Sequence, residues 1–144
     1  MHKAEQILNA IYDSCQQLVA DDVVLTVEKN TARPPFNFPA LVIRVGQDAV
    51  SSRDSHFITT EQAINVNIIV KNSPNSLDTE TLNIREALHK RITSTPALGL
   101  DYVMEVVPQG QDEPEYVGDS DEYSMVTNIP WLVRYRYPIN NPSV

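Results

Sequence analysis

A formal net charge of -8 over 144 residues leaves no basic excess to neutralise phosphates, which argues against a general nucleic-acid binder and against an anionic membrane surface as partner. One cysteine, Cys15, precludes an internal disulfide; no run approaches the roughly 18 apolar residues of a membrane span; and the opening Met-His-Lys-Ala-Glu-Gln lacks the apolar segment of a signal peptide. The length suits one domain, residues 1–144 with a short polar tail at 137–144, large enough to fold without a staple and expected to be made and used in a cytoplasm.

Ala4, Ile7, Leu8, Ile11, Tyr12, Cys15, Leu18 and Val19 recur at helical spacing, with Lys3, Glu5, Gln6, Asn9, Asp13, Gln16 and Gln17 on the other face, so the chain opens with an amphipathic helix. On that apolar face Cys15 reads as a small buried hydrophobe. Val23–Glu28, rich in Val and Thr, predicts a strand. Pro34, Pro35 and Pro39 then impose a stiff, extended connection in which Phe36 and Phe38 either tuck under the sheet or project as contacts. Ala40–Gly46 predicts a second strand, with Leu41, Ile43 and Val45 on one face. The polar stretch Gln47–Thr60, which holds Asp48, Arg53, Asp54 and His56, has no periodicity and reads as a long loop of functional size. Gln62–Lys71 alternates Ile64, Val66, Ile68 and Val70 with Asn65 and Asn67, a third strand whose exposed Asn residues line a polar surface or face another chain.

Asp78 suits the cap of a second helix and Glu80 its first turn, with Leu77, Ile84, Ala87, Leu88 and Ile92 as the buried stripe. Arg85, His89, Lys90 and Arg91 gather toward its C-terminal half, where the helix dipole favours cations. Thr95-Pro96 ends it. Tyr102–Val107 predicts a fourth strand, broken by Pro108-Gln109-Gly110. A loop from Gln111 to Ser124 follows, with six acids (Asp112, Glu113, Glu115, Asp119, Asp121, Glu122) and no Lys or Arg. It feeds the last long apolar run, Met125–Tyr137. There Met125, Ile129, Trp131, Val133, Tyr135 and Tyr137 alternate with a face that ends in Arg134 and Arg136, the mark of a half-buried strand. This run carries the one Trp of the chain and is expected to anchor the core. Pro130 cannot donate to a ladder, which predicts an edge strand or a bulge at that point.

The order α-β-β-β-α-β-β gives an α+β fold: a single domain with a mainly antiparallel or mixed sheet of about five strands and two helices on one face. No motif specifies chemistry. Four glycines leave little from which to build a phosphate loop, and His2, His56 and His89 lack metal-ligand spacing. Asp119-Ser120-Asp121 is a fragment of a calcium loop without its Gly and closing Glu, and Asp54-Ser55-His56 is a local cluster rather than a triad drawn from separate elements. Neither an enzyme nor a cofactor is expected. A metal-dependent binding domain using the acidic residues 112–122 is the alternative from another class.

Pro39–Gly46, the unit from Ile64–Val70 to Ile84–His89, Pro108–Tyr116 and Ile129–Arg136 together resemble tail terminator, or tail completion, proteins of long-tailed bacteriophages, of the minor tail protein U type. The resemblance spans nearly the whole chain in the same element order. It implies a structural protein of the virion that assembles in the host cytoplasm as a hexameric ring capping the head-proximal end of the tail tube. Its partners would be further copies of itself, the tail-tube protein and a head-completion or stopper protein, with DNA passing through the lumen without specific binding. A neighbouring neck component, such as a head–tail joining or stopper protein, is the second reading. Charge places the subunit and partner interfaces on Asp112, Glu113, Glu115, Asp119, Asp121 and Glu122 against Arg85, Lys90, Arg91, Arg134 and Arg136, with Arg53 and Asp54 in a segment long enough to reach a neighbouring ring.

Overall fold

The computed structural model describes residues 2–29, 37–72, 77–118 and 123–143. Helix α1 (Lys3–Ala20) starts at His2, whose Nδ1 accepts from the Ala4 N–H at 3.0 Å, an N-cap that satisfies one orphan donor of the first turn. Ile7, Leu8, Ile11, Cys15 and Leu18 form its buried stripe, as the helical spacing predicts. Lys3, expected on the polar face, is instead buried, with Nζ 4.8 Å from the centre of the Tyr102 ring. Burial lowers its pKa, partly offset by Asp101. Helix α2 (Leu77–Thr93) buries Leu77, Thr81, Ile84, Leu88 and Ile92. Asp78 lies inside its first turn rather than before it, and accepts there from the Tyr116 hydroxyl at 3.2 Å.

Six strands make one mixed sheet: β1 (Thr26–Lys29), β2 (Ala40–Arg53), β3 (Phe57–Asn72), β4 (Val103–Pro108), β5 (Glu115–Gly118) and β6 (Tyr123–Pro138). The order is β1-β2-β3-β6-β4, with β5 also on β6. β1 runs parallel to β2 and the other pairs are antiparallel. The register aligns the apolar alternations: Leu41 faces Ile68, Ile43 faces Val66, Val66 faces Ile129 and Ile64 faces Trp131. One sheet face therefore presents a continuous apolar surface, and both helices press their stripes onto it to form a single core. The α+β fold is as the sequence predicts, with one strand more than expected because β5 lies within the acidic stretch.

Two sequence expectations are corrected. The stretch Gln47–Thr60 is strand rather than loop: β2 continues to Arg53, a turn follows, and β3 begins at Phe57. Residues 47–57 are all exposed, so neither face of this ribbon is buried and no hydrophobic period marks it, although the backbone ladder persists. Nor is β6 an edge strand, since β3 pairs along its whole length from Tyr123 to Pro138. Its other side is shared, with β5 on residues 123–126 and β4 on residues 131–135. Pro130 falls in the gap between them. Its carbonyl accepts from the Gln109 N–H at 2.9 Å on that side, so its ring nitrogen also faces the gap and costs the β3 ladder nothing.

The β2–β3 ladder slips between Val45 and Asp48 and again between Val50 and Ser52, two bulges. At the first, the buried Gln62 side chain donates to the Gly46 carbonyl at 2.8 Å. A Cβ on Gly46 would lie 2.7 Å from Asn65 Nδ2 and 3.2 Å from the Ala63 carbonyl oxygen. Gly46→Ala is thus expected to cost about 1–3 kcal/mol through overpacking, read as a lower urea midpoint at unchanged slope. Burial pushes the Cys15 thiol up to about 12. At pH 8 the folded protein should leave a thiol reagent unreacted, and adding urea beyond the unfolding midpoint should release the full stoichiometric colour.

Candidate functional site

On the sheet face opposite the helices Ala40 and Val42 are buried, and beyond them polar groups converge. Asn65 and Asn67, the out-of-pattern residues of β3, sit beside Arg44 of β2 and Asn128 of β6 through the pairs Arg44 with Asn65 and Asn67 with Asn128. The chain after β4 crosses this region along the gap in β6. The Asp112 N–H donates to the Asn128 carbonyl at 3.0 Å, and the Asn128 amide donates to Asp112 Oδ2 at 2.8 Å. This two-point clasp sets Asp112, Glu113 and Glu115 around a hollow of about 340 Å³ floored by the Asn residues and Arg44. Such a surface offers carboxylates, amides and one guanidinium side by side. It is suited to polar recognition of another chain.

The acidic stretch is therefore tied to the sheet by Asp112 and by β5. Asp119, Asp121 and Glu122, with the Asp119-Ser120-Asp121 fragment, lie outside the described residues, as does Phe36. No group of His, Cys, Asp and Glu among the described residues is arranged to hold a metal ion.

The candidate cations are dispersed and mostly engaged within the chain. Arg85 donates to Gln111 Oε1 at 3.3 Å, Lys90 pairs with Glu86 at 3.1 Å, and Arg91 reaches Gln17 at 3.3 Å and Asp21 at 3.8 Å across the two helices. Arg134 pairs with Glu105 of β4, and Arg136 lies over the Phe57 ring at 4.8 Å. Arg53 and Asp54 stand at the tip of the β2–β3 ribbon. The structure brings Asp112, Glu113 and Glu115 together, and brings Arg136 toward Asp54, whose carboxyl it helps to hold down. It does not gather the acids and the cations into one patch.

At the tip, Asp54 Oδ1 accepts from the N–H groups of Phe57 at 2.6 Å and His56 at 2.7 Å. These bonds hold its carboxyl below the usual range, with smaller help from His56 and Arg136. The Asp54-Ser55-His56 cluster is thus a turn, and its carboxylate is committed to backbone donors.

On the helix side, a second cavity of about 280 Å³ opens between α2 and the β4–β6 edge, with walls that include Arg85, Leu88, His89, Pro108, Ile129 and Trp131. The Trp131 indole is 1% exposed and 5.6 Å from the His89 ring, and its N–H finds no acceptor among the described residues. Sequence reasoning missed Arg44, Asn128 and this cavity. Arg44 was legible as the charged member of an apolar alternation. The cavity was not, because its walls come from three elements. Neither a family model nor a curated protein matches the chain.

The depressed Asp54 carboxyl has a definite pH signature. Its bonds help order the tip at every pH above the ordinary value of 3.8 and are lost only as pH falls through the lower folded-state value. The amide resonances of His56 and Phe57 should therefore titrate with a midpoint below 3.8. In Asp54→Ala that step should be absent at both amides.

Proposed function

We propose that the chain is a structural assembly protein of a long-tailed phage: a tail terminator that closes into a ring, hexameric by resemblance, at the head-proximal end of the tail tube. The ring stops tube growth and presents a joint to the head. The observation that carries the reading is the division of labour in the sheet. One face is spent on the core, while the other holds an organised polar hollow and the β2–β3 ribbon leaves residues 47–57 exposed. A subunit built to meet neighbours on several sides needs such surfaces. The particular role is what the resemblance of segments such as Pro39–Gly46 and Ile129–Arg136 to tail terminators implies.

The partners are further copies of the chain, the tube protein and a head-completion protein. A ring of subunits each carrying a net charge of -8 would repel phosphates, so DNA would pass its lumen without adhering. No helix among the described residues is long and apolar enough to cross a membrane.

The test is to polymerise tail-tube subunits from the same genome with and without the protein. Added protein is expected to halt growth and to appear by electron microscopy at one end of each tube. Tubes that grow on unchanged, with the protein bound to isolated heads instead, would identify a neck component and sink the terminator reading.

A further inference from the structure

Among the described residues Arg53 is the one cation without a partner. It ends β2 at the tip of the ribbon and is exposed. Every other described Lys or Arg makes a polar, electrostatic or ring contact inside its own chain, from Lys3 over Tyr102 to Arg136 over Phe57. The neighbouring Asp54 carboxylate is taken by the His56 and Phe57 N–H groups and lies toward Arg136, and Asp48 stands further down the ribbon, opposite Gln62.

The polar hollow presents the opposite condition. Glu113 and Glu115 are exposed at its wall, and neither carboxylate has a partner among the described residues. Asp112 gives one oxygen to the Asn128 amide. Arg44 is the single cation among the described residues lining the hollow, so three carboxylates leave it net negative; Lys71, further along β3, lies over the Phe38 ring at 5.6 Å and is not part of the lining. The floor holds a further acceptor without a donor: Asn128 Oδ1 is buried and unpaired among the described residues.

We propose that the hollow receives Arg53 from a second copy of the chain. The proposal rests on the ring reading above and specifies its contact. Arg53 cannot serve its own hollow. It faces Ile58 in the ladder, and from Ile58 to Asn65 β3 covers about 24 Å at the rise of an antiparallel strand, more than an arginine side chain spans. The hollow, about 340 Å³, is large enough to admit that side chain. A guanidinium carries five donors in a planar fork and no acceptor, which suits a site of free carboxylates and amide oxygens. Its charge selects the register of the contact more than it adds raw affinity. Tip and hollow are different surfaces of one chain, so the contact is head-to-tail, and repetition closes a ring if the rotation allows.

The experiment uses the full chain and three variants. Arg53→Glu reverses the tip, Glu113→Lys with Glu115→Lys reverses the hollow while leaving the Asp112–Asn128 clasp intact, and the triple variant carries all three changes. The three positions are exposed, and thermal melting confirms that each variant folds. Wild-type protein is expected to self-associate with rising concentration in light scattering, and less so as salt is added. The tip variant and the hollow variant should each associate about tenfold more weakly or worse. Mixing the two, or combining the changes in the triple variant, should restore association, because each reversed tip then meets a reversed hollow.

The hollow variant brings the net charge of the chain closer to zero, so mere relief of repulsion would make it associate more strongly. That result would overturn the proposal, as would single reversals without effect, a triple variant and a mixture that stay dissociated, or wild-type protein that is monomeric at every concentration. Capping of tube growth in the polymerisation assay would still uphold the terminator reading in each of these cases, so the two failures are separable.

Discussion

Everything in this fold hangs on β6 being paired on both sides. Its odd residues from Met125 to Tyr135 are buried against the helices, and its backbone ties β3 to β4 and β5. A strand so placed must satisfy each N–H and C=O from two directions, because a buried orphan costs about 1–3 kcal/mol. Pro130 is tolerated because the missing donor faces the one interval where the second neighbour is interrupted. The same interval lets the chain after β4 cross the sheet edge and deliver Asp112 to Asn128. The surface chemistry of the open face thus follows from the hydrogen-bond pattern of the central strand.

The helices and the buried halves of the strands were legible because burial imposes a period. Ile64, Val66, Ile68 and Val70 announce a strand, and Ile7, Ile11, Cys15 and Leu18 a helix, wherever one face leaves water. The ribbon from 47 to 57 was not legible for the converse reason: with both faces wet, its residues are chosen by solubility and partners. Pro130 misled because propensity knows the strand but not its neighbours. The outward Asn residues of β3 were recognised as anomalous, and they do floor the polar hollow. What could not be read was which cations would be used up internally. Arg134 and Glu105 are distant in the chain and meet only through the β4–β6 register. The Trp131 cavity is a property of three surfaces that no linear pattern encodes.

The two faces of the sheet serve different ends. The helix side holds the apolar core, and the polar side keeps charged groups where a neighbour can use them. The spacing of the edges and the placement of charge are both set by the sheet register.

The two bulges in β2 bear on solubility. Past Ile43 no described strand lies along the outer side of β2, which would leave a long row of free peptide groups at the margin of the sheet. A regular margin of that length is a template on which any extended chain can zip, a route to fibrous precipitation. The slips at Gly46–Gln47 and at Ser51 break the repeat twice, and Arg44, Asp48 and Arg53 add charge beside them. The margin is thereby out of step with an incoming strand, so the backbone does not invite indiscriminate pairing.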